Sequence, residues 1–221
     1  MIGILAAMES EMAYFQTHMT QTGTRELAGM TYLSGALDGK EIVVAQCGVG
    51  KVNAAMHAQL MIDHYPLTAL IQTGIAGSLC PEAGHLSIVI GRELVYHDMQ
   101  PWVLEQYFPH RRSYLADPQL VALAEACAPA DHTVGVIATG DQFIDDGETK
   151  KAIRDTHGAL CCEMEGAAIA QTATLNGLPF VIIRCISDLA DGDATMTFAQ
   201  FEHMAAEKSA AMVHQMLLKM P

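Results

Sequence analysis

The chain has 221 residues, of which 51% are hydrophobic and 17% are charged, and its formal net charge is −13 at pH 7 with histidine neutral. This length suits one large domain, and the apolar content excludes a disordered chain because it can supply a sizeable core. The negative charge argues against nucleic acid and anionic membranes as partners, since phosphate groups are bound by basic surfaces. A neutral or cationic small molecule fits this charge better.

The order of apolar runs, turn signals and capping residues predicts alternating strands and helices. In chain order we expect a strand at residues 2–7, a helix at 8–18, strands at 30–37 and 41–47, a helix at 51–64, strands at 68–73, 86–90 and 93–96, an irregular segment at 97–118, a helix at 117–128, a strand at 133–139, a helix at 148–156, a strand at 159–162, a helix at 165–176, a strand from residue 180 and a helix at 197–220. Such alternation predicts an α/β sandwich around a largely parallel sheet. We find no linker and no internal repeat, so we expect residues 1–221 to form a single domain.

The cysteines and the amino terminus indicate a cytoplasmic protein. The six cysteines lack the spacing of a metal site or of a disulfide framework, and most of them lie in apolar segments. We therefore expect buried, reduced thiols. Residues 1–7 are apolar, but they are few and lack a basic flank, which favours a core strand over an export signal or a membrane span.

The stretch from residue 180 to residue 193 combines a buried strand with charged side chains. Its apolar, β-branched run is typical of a strand buried on both faces, yet Arg184 lies in the middle and needs a carboxylate partner. The run ends in Ser187-Asp188, and open α/β sheets bind ligands beyond the carboxyl ends of their strands. We therefore expect Asp188 to be an acid that gives a proton to a bound heterocycle.

Two other motifs allow more than one interpretation. Gly48-Val49-Gly50-Lys51 lacks the further glycine and the Ser or Thr of a phosphate loop, so we expect a tight turn close to a ligand. Glu163-Met164-Glu165 carries two carboxylates that would point to opposite sides of an extended chain, one toward a cleft and the other toward Arg184. A solvated acidic helix start would explain the same residues.

The acids and histidines near other helix starts are less informative. Glu9 and Glu11 point in different directions on a helix, so we expect at most one of them to line a site. The ten histidines show no spacing typical of a metal site, and we predict no metal.

Six motifs, taken together in their order and spacing, resemble the 5′-methylthioadenosine/S-adenosylhomocysteine nucleosidases of the purine nucleoside phosphorylase superfamily. They are Met8-Glu9-Ser10-Glu11, Cys47-Gly48-Val49-Gly50-Lys51, Thr73-Gly74-Ile75-Ala76-Gly77, Gly140-Asp141-Gln142-Phe143-Ile144, Cys162-Glu163-Met164-Glu165 and Arg184-Cys185-Ile186-Ser187-Asp188-Leu189-Ala190-Asp191. The resemblance covers nearly the whole chain. It implies a nucleoside phosphorylase-like three-layer α/β/α sandwich with a mixed, mostly parallel sheet, a homodimer, and hydrolysis of an adenine nucleoside without a cofactor.

The resemblance also implies a role for each site residue. Asp188 would protonate adenine N7 with help from Ser187, and Glu11 would orient and deprotonate the attacking water. The remaining implied contacts are Met164 and Glu165 at the ribose, Gly77 and Ile144 along the ligand, Phe143 stacked on adenine, and Met8, Val49 and Phe198 around the 5′-thio group, with Glu163 and Arg184 in support. A neutral acid at N7 requires that burial or a neighbouring carboxylate raise the pKa of Asp188.

Two further functions remain open from the sequence. A phosphorylase on the same fold would need arginines for phosphate, but Gln72 stands where hexameric phosphorylases of the superfamily carry one. A catalytically silent nucleoside-binding protein is the other alternative. It is kept open by Ile75, which replaces the serine that is common in the family, and Ser78 replaces a glycine nearby.

The sequence leaves two features of the resemblance open. Residues 99–114 match the family poorly, and their aromatic side chains Trp102, Tyr107 and Phe108 could cover the partner's 5′ pocket across a dimer or form a local cluster. The 5′ substituent also stays open among methylthioadenosine, adenosylhomocysteine, 5′-deoxyadenosine and aminofutalosine, because the motifs address only the adenosine half.

Overall fold

The structure, a computed structural model, describes residues 1–220, which form seven helices and ten strands. The helices are α1 (Glu9–His18), α2 (Lys51–His64), α3 (Pro101–Gln106), α4 (Pro118–Cys127), α5 (Gly147–His157), α6 (Gly166–Leu175) and α7 (Ala194–Lys219). The strands are β1 (Ile2–Ala6), β2 (Thr20–Leu27), β3 (Met30–Leu37), β4 (Lys40–Gln46), β5 (Ala69–Ser78), β6 (Ile88–Tyr96), β7 (Ser113–Leu115), β8 (His132–Thr139), β9 (Ala159–Glu163) and β10 (Phe180–Asp188). The predicted α/β class is confirmed.

The ten strands form one mixed sheet. Its order is β10-β6-β8-β9-β5-β1-β4-β3-β2, with β7 beside β6. β10 also pairs with β5 in parallel, so the strands from β10 to β5 along this path close into a ring. The register places Gly77 of β5 opposite both Asp188 of β10 and Cys162 of β9. The ring therefore brings the ends of three strands to one place.

Helices cover the sheet and complete the predicted sandwich. α7 packs against β5 and β10 and also contacts α1 and α4, while α2 and α6 pack against each other. A buried hydroxyl pair joins α7 to the sheet, since Ser209 Oγ lies 2.8 Å from Thr73 Oγ1 and accepts from the Gly74 N–H at 3.2 Å. Within residues 1–220, no helix combines the length and the apolar character needed to cross a membrane.

β5 extends beyond its predicted end. The sequence prediction ended this strand at Thr73 and assigned residues 74–78 to a loop because of their glycines, but the strand continues to Ser78 and is buried throughout. A side chain at Gly74 would collide with Arg184 and with Glu11, whose Oε1 would lie only 2.5 Å from its Cβ. The glycines thus permit the close approach of charged side chains inside a strand.

Three other predictions of local structure were wrong. The strands expected at 86–90 and 93–96 form the single strand β6, which contains a bulge between Gly91 and Glu93 where it pairs with β8. The segment expected to be irregular contains α3 and β7. β2 was missed because it is a polar, mostly exposed strand that pairs only with β3 and lacks the apolar alternation of a buried strand.

Candidate active site

A cavity of about 190 Å³ opens where β5, β9 and β10 end. All thirteen residues that the sequence predicted for the site line this cavity: Met8, Glu11, Val49, Gly77, Phe143, Ile144, Glu163, Met164, Glu165, Arg184, Ser187, Asp188 and Phe198. The structure therefore brings them together, while the role of each stays a prediction. Five further residues line the cavity without having been predicted for the site, and these are Ala7, Ile75, Ala76, Gln142 and Cys162.

Arg184 is the buried cation of this cavity and is only 1% exposed. Its Nη2 contacts Glu163 Oε2 and lies 3.3 Å from Glu165 Oε2, and its Nη1 lies 4.0 Å from Glu11 Oε1. Nη1 also donates to the Ile75 carbonyl at 3.3 Å. Burial lowers the pKa of Arg184, but the three carboxylates outweigh it and raise the pKa above its usual value. The predicted carboxylate partner is thus a set of three.

The expectation that Glu163 and Glu165 point to opposite sides was wrong, because both contact Arg184 and both line the cavity. Glu163 ends β9, whereas Glu165 is the N-cap of α6 with φ −133° and ψ −38°, so the chain is no longer extended there. Glu163 Oε2 also accepts from the N–H groups of Glu165 at 3.1 Å and Gly166 at 2.7 Å. The turn into the helix brings both carboxylates to one side.

Glu11 is fixed in place by main-chain donors from two elements. Its Oε2 accepts from Ala7 at 2.6 Å and from Met8 at 3.0 Å, and its Oε1 accepts from Ile75 at 3.0 Å. Burial raises the pKa of Glu11, although Arg184 and these N–H groups lower it. Glu9 of the same helix is exposed, so only one of the two acids lines the site, as the sequence predicted.

Glu165 connects the Arg184 cluster to the glycine turn before α2. Its Oε1 accepts from the Gly50 N–H at 3.0 Å, and Gly50 has φ +95°, a conformation that favours glycine. The turn therefore donates a main-chain hydrogen bond to a carboxylate, and Val49 within the turn lines the cavity. Burial raises the pKa of Glu165 to about 7, with Glu163 and Glu11 adding to the effect and Arg184 and the Gly50 N–H opposing it.

Asp188 is the last residue of β10 and is 2% exposed. Its Oδ2 accepts from Ser187 Oγ at 2.8 Å, and its Oδ1 accepts from the Ala190 N–H at 3.0 Å. Burial raises the pKa of Asp188, while these two hydrogen bonds lower it. A Cβ on Gly77 would lie 2.8 Å from Asp188 Oδ1, so glycine is needed for this approach. Burial is the larger of these effects, so the site favours the protonated form of Asp188 more than water does.

Apolar side chains form another wall of the cavity. Phe143 and Phe198 meet edge to face with ring centroids 5.7 Å apart, and Phe143 is 46% exposed. Met8 and Val49 also line the cavity and are partly exposed. An exposed aromatic ring at the cavity wall can stack on a planar base. In residues 1–220, no group of three or more His, Cys, Asp or Glu side chains is placed to hold a metal ion.

Four of the five additional lining residues belong to motifs of the resemblance, but it gave none of them a role in the site. Ala7 and Ala76 are small apolar residues inside core strands or at their ends, and Gln142 lies in a loop. Cys162 lines the cavity, and burial raises the pKa of its thiol, so it is an unreactive wall residue. All six cysteines are free. Ile75 contributes its N–H to Glu11 and its carbonyl to Arg184, which any residue type except proline could do.

Comparison with known proteins identifies the family. The sequence profile of the Phosphorylase superfamily matches residues 1–218. A 5′-methylthioadenosine/S-adenosylhomocysteine nucleosidase of Geobacillus kaustophilus (strain HTA426) is 39% identical over 225 aligned positions, which cover 97% of this chain and 95% of that protein. The chain belongs to this nucleosidase family.

Solved structures related to the nucleosidase family have the same fold. The S-adenosylhomocysteine nucleosidase of Streptococcus pyogenes, in complex with 5-methylthiotubericidin, has a TM-score of 0.95 and 34% identity, covering 100% of this chain and 97% of that chain. A futalosine hydrolase of Helicobacter pylori strain 26695 has a TM-score of 0.93 and 30% identity, covering 99% and 97%. The fold is thus shared by proteins named for different nucleosides.

Replacing Arg184 tests the charge balance of the nucleosidase site. We expect Arg184→Met to lower the free energy of unfolding by about 3–5 kcal/mol, because it leaves buried carboxylates without their cation. The loss of stability should be larger at pH 8 than at pH 5. Without the cation, the buried carboxyl groups have higher pKa values in the folded than in the unfolded protein, so their ionisation at high pH favours unfolding. Urea unfolding at both pH values measures this.

Arg154→Met is the matched control, because Arg154 is partly exposed and its nearest carboxylate contact, with Asp155, is 3.4 Å long. We expect a change within about 0.5 kcal/mol for this surface substitution. Equal losses in the two variants, or a loss for Arg184→Met that does not grow with pH, would contradict the role assigned to the buried cluster.

Proposed function

We propose that the protein hydrolyses the N-glycosidic bond of 5′-methylthioadenosine and S-adenosylhomocysteine, releasing adenine and the corresponding thioribose product. Its relatives carry the name of this activity. The observation that carries the proposal is the buried carboxyl of Asp188, which faces the same cavity as Glu11 and Glu165. A general acid and a second carboxylate that activates water are the pair of groups that glycoside hydrolysis uses, and Asp188 and Glu11 provide them here.

Asp188 acts as the general acid at adenine N7. Adenine is a poor leaving group as an anion, so protonation of the departing base lowers the barrier, and such general acid catalysis typically contributes about 10²- to 10⁴-fold. Burial raises the pKa of this carboxyl and so favours the protonated form that the role requires. Ser187 and the Ala190 N–H hold its two oxygens, and Phe143 stacks on the base beside Ile144 and Gly77.

Glu11 orients and deprotonates the attacking water. Three main-chain N–H groups fix the carboxylate, and the one that binds Oε1 leaves a lone pair of that oxygen free for a water molecule. The nearby Arg184 guanidinium favours the ionised form and so opposes the effect of burial on the Glu11 pKa. The base Glu11 and the acid Asp188 share one cavity, but only Glu11 lies beside the positive charge of Arg184.

Glu165 and Met164 hold the ribose, and the cluster around Arg184 stabilises the reacting sugar. Departure of the base leaves an oxocarbenium-like ribose, whose positive charge is favoured by nearby carboxylates. Glu163 and Glu165 together with Glu11 outnumber the single guanidinium that they share. Met8, Val49 and Phe198 provide the apolar surface for the 5′-thio substituent.

The charge of the cavity favours water over phosphate as the acceptor. Among the described residues that line the cavity, Arg184 is the only permanently cationic one, and carboxylates already surround it. Binding of a phosphate dianion beside the ribose would require a free arginine or lysine. The three glutamates around the same space disfavour the dianion, so phosphorolysis is the weaker alternative.

The assembly and location of the protein are part of the same proposal. Exposed apolar side chains of Val52, Met56, Met99 and Leu175 line one groove beside α2 and α6, which supports a homodimer. We further propose that residues 1–221 act as one domain in the cytoplasm, where six free thiols are stable. The nucleoside is the small-molecule partner, and the mechanism uses no cofactor.

Product analysis tests hydrolysis directly. We expect incubation with 5′-methylthioadenosine to give adenine and free methylthioribose at the same rate with and without inorganic phosphate, because the cavity offers no free cation for phosphate. Chromatography of the products measures this. A sugar phosphate that forms only with phosphate would establish a phosphorylase, and binding without release of adenine would establish a silent nucleoside-binding protein.

Replacing the acid and the base tests their separate roles. We expect Asp188→Asn and Glu11→Gln each to lower kcat by at least about 100-fold while adenine binding changes little. The wild-type rate should rise with pH as Glu11 loses its proton and fall as Asp188 loses its own. Residual activity should lack the fall at high pH in Asp188→Asn and the fall at low pH in Glu11→Gln.

The matched controls are Asp193→Asn and Glu9→Gln, which change exposed acids of the same segment and of the same helix. Both should keep wild-type kcat and the wild-type pH profile. Near wild-type turnover in Asp188→Asn would remove Asp188 as the acid, and loss of ligand binding in a folded Glu11→Gln protein would refute the water-orienting role.

A further inference from the structure

The segment that follows Asp188, residues 189–193, adopts a conformation that its sequence does not favour. Ala190 has φ +49°, in the left-handed region that an alanine side chain disfavours. The Ala190 N–H nevertheless donates to Asp188 Oδ1 at 3.0 Å, and this bond orients the carboxyl group. The orientation of Asp188 therefore depends on whatever keeps residues 189 and 190 in place.

Lys150 supplies a polar contact to this segment from another element. Its Nζ donates to the carbonyl oxygen of Leu189 at 2.5 Å. In the part of the chain that the structure describes, this is the only hydrogen bond that reaches residues 189–193 from outside residues 188–197. The remaining hydrogen bonds of these residues are local, and Ala190 packs, fully buried, in an apolar cluster that includes Ile144 and Ile153. Apolar packing is not directional, so the bond from Lys150 is the contact that sets where the Leu189 carbonyl lies.

Lys150 belongs to α5, the helix that follows the loop carrying Phe143 and Ile144. It lies in the first turn of α5, which Asp146 caps by accepting from Glu148 at 3.1 Å and Thr149 at 2.8 Å. Phe143 and Ile144 lie just before this cap, separated from it by Asp145, and line the cavity. The Lys150 ammonium group therefore joins the segment that follows the acid to the helix that follows Phe143 and Ile144.

We propose that Lys150 is a positioning residue that holds the Asp188 carboxyl in register with the base through the Leu189 carbonyl. The proposal rests on the proposed function, in which Asp188 is the acid. Lys150 itself lines a separate cavity of about 290 Å³ behind the loop, together with Leu189, and does not line the nucleoside cavity. It therefore acts on turnover through the loop and makes no contact with substrate.

Three variants separate this role from general effects of a lysine on α5. Lys150→Met keeps the apolar stem and removes the donor, and we expect kcat to fall about tenfold, since small misplacements of a reacting group lower rates strongly. KM for 5′-methylthioadenosine should stay within about twofold, because the residues that hold ribose and base are unchanged. Lys150→Arg retains a cationic donor and should restore most of kcat.

Lys151→Met is the matched control, since Lys151 is the next residue of α5, is exposed, and pairs with Asp155 at 2.5 Å. It should keep wild-type kcat and KM. Wild-type kcat in Lys150→Met, an equal fall in Lys151→Met, or a rise in KM that accounts for the loss would each overturn the proposal.

Amide hydrogen exchange provides a readout that does not depend on activity. We expect the Ala190 amide to exchange faster in Lys150→Met than in the wild type and in Lys151→Met, while the strand amides of β10 are unchanged. If the wild type cleaved no adenine nucleoside, the proposed function would fail, and exchange would still decide whether Lys150 holds the segment. Unchanged exchange at Ala190 would overturn the positioning role even in an active enzyme.

Discussion

The guanidinium of Arg184 lies inside the protein among the carboxylates of Glu163, Glu165 and Glu11. These acids come from the end of β9, the start of α6 and the first turn of α1, while the arginine belongs to β10. A buried cation is tolerated only where carboxylates surround it, and buried carboxylates need the cation in turn. This mutual requirement draws four elements to one end of the sheet and creates the floor of the cavity.

The same cluster explains why two carboxyl groups in one cavity can have opposite roles. Glu11 lies beside the cation and accepts three hydrogen bonds from N–H groups, which favour its ionised form. Asp188 accepts one hydrogen bond from a hydroxyl and one from an N–H group, and within residues 1–220 no lysine or arginine forms an ion pair with it. Burial acts on both groups and raises both pKa values. In the mechanism that we propose, this difference in partners makes Asp188 the acid at the base and Glu11 the proton acceptor at the water.

Much of this site could be predicted because its charged and polar residues interrupt or end segments that are otherwise apolar. Arg184 stands out in an apolar strand, and Ser187-Asp188 stands at the point where that strand ends. The prediction ended β5 too early because it took the glycines at 74 and 77 as loop residues. In the fold these glycines make room for the side chains of Arg184 and Asp188, a contact that the sequence alone does not show. The prediction placed Glu163 and Glu165 on opposite sides because it assumed an extended chain. The helix starts at Glu165 and interrupts the alternation of the strand, which brings both side chains to one side. Cys162 and Gln142 belong to motifs of the resemblance but were given no role, because only the fold shows that the pairing of β9 with β5 and the loop before α5 bring them to the cavity.

The most direct measurement is a crystal structure of the protein with a non-hydrolysable 5′-thio adenine nucleoside bound in the cavity. The account predicts that an Asp188 carboxyl oxygen lies within about 2.6–3.2 Å of adenine N7, with Glu11 beside a water molecule that faces C1′. A base bound with N7 turned toward another group, or an Asp188 side chain directed away from the purine, would contradict it.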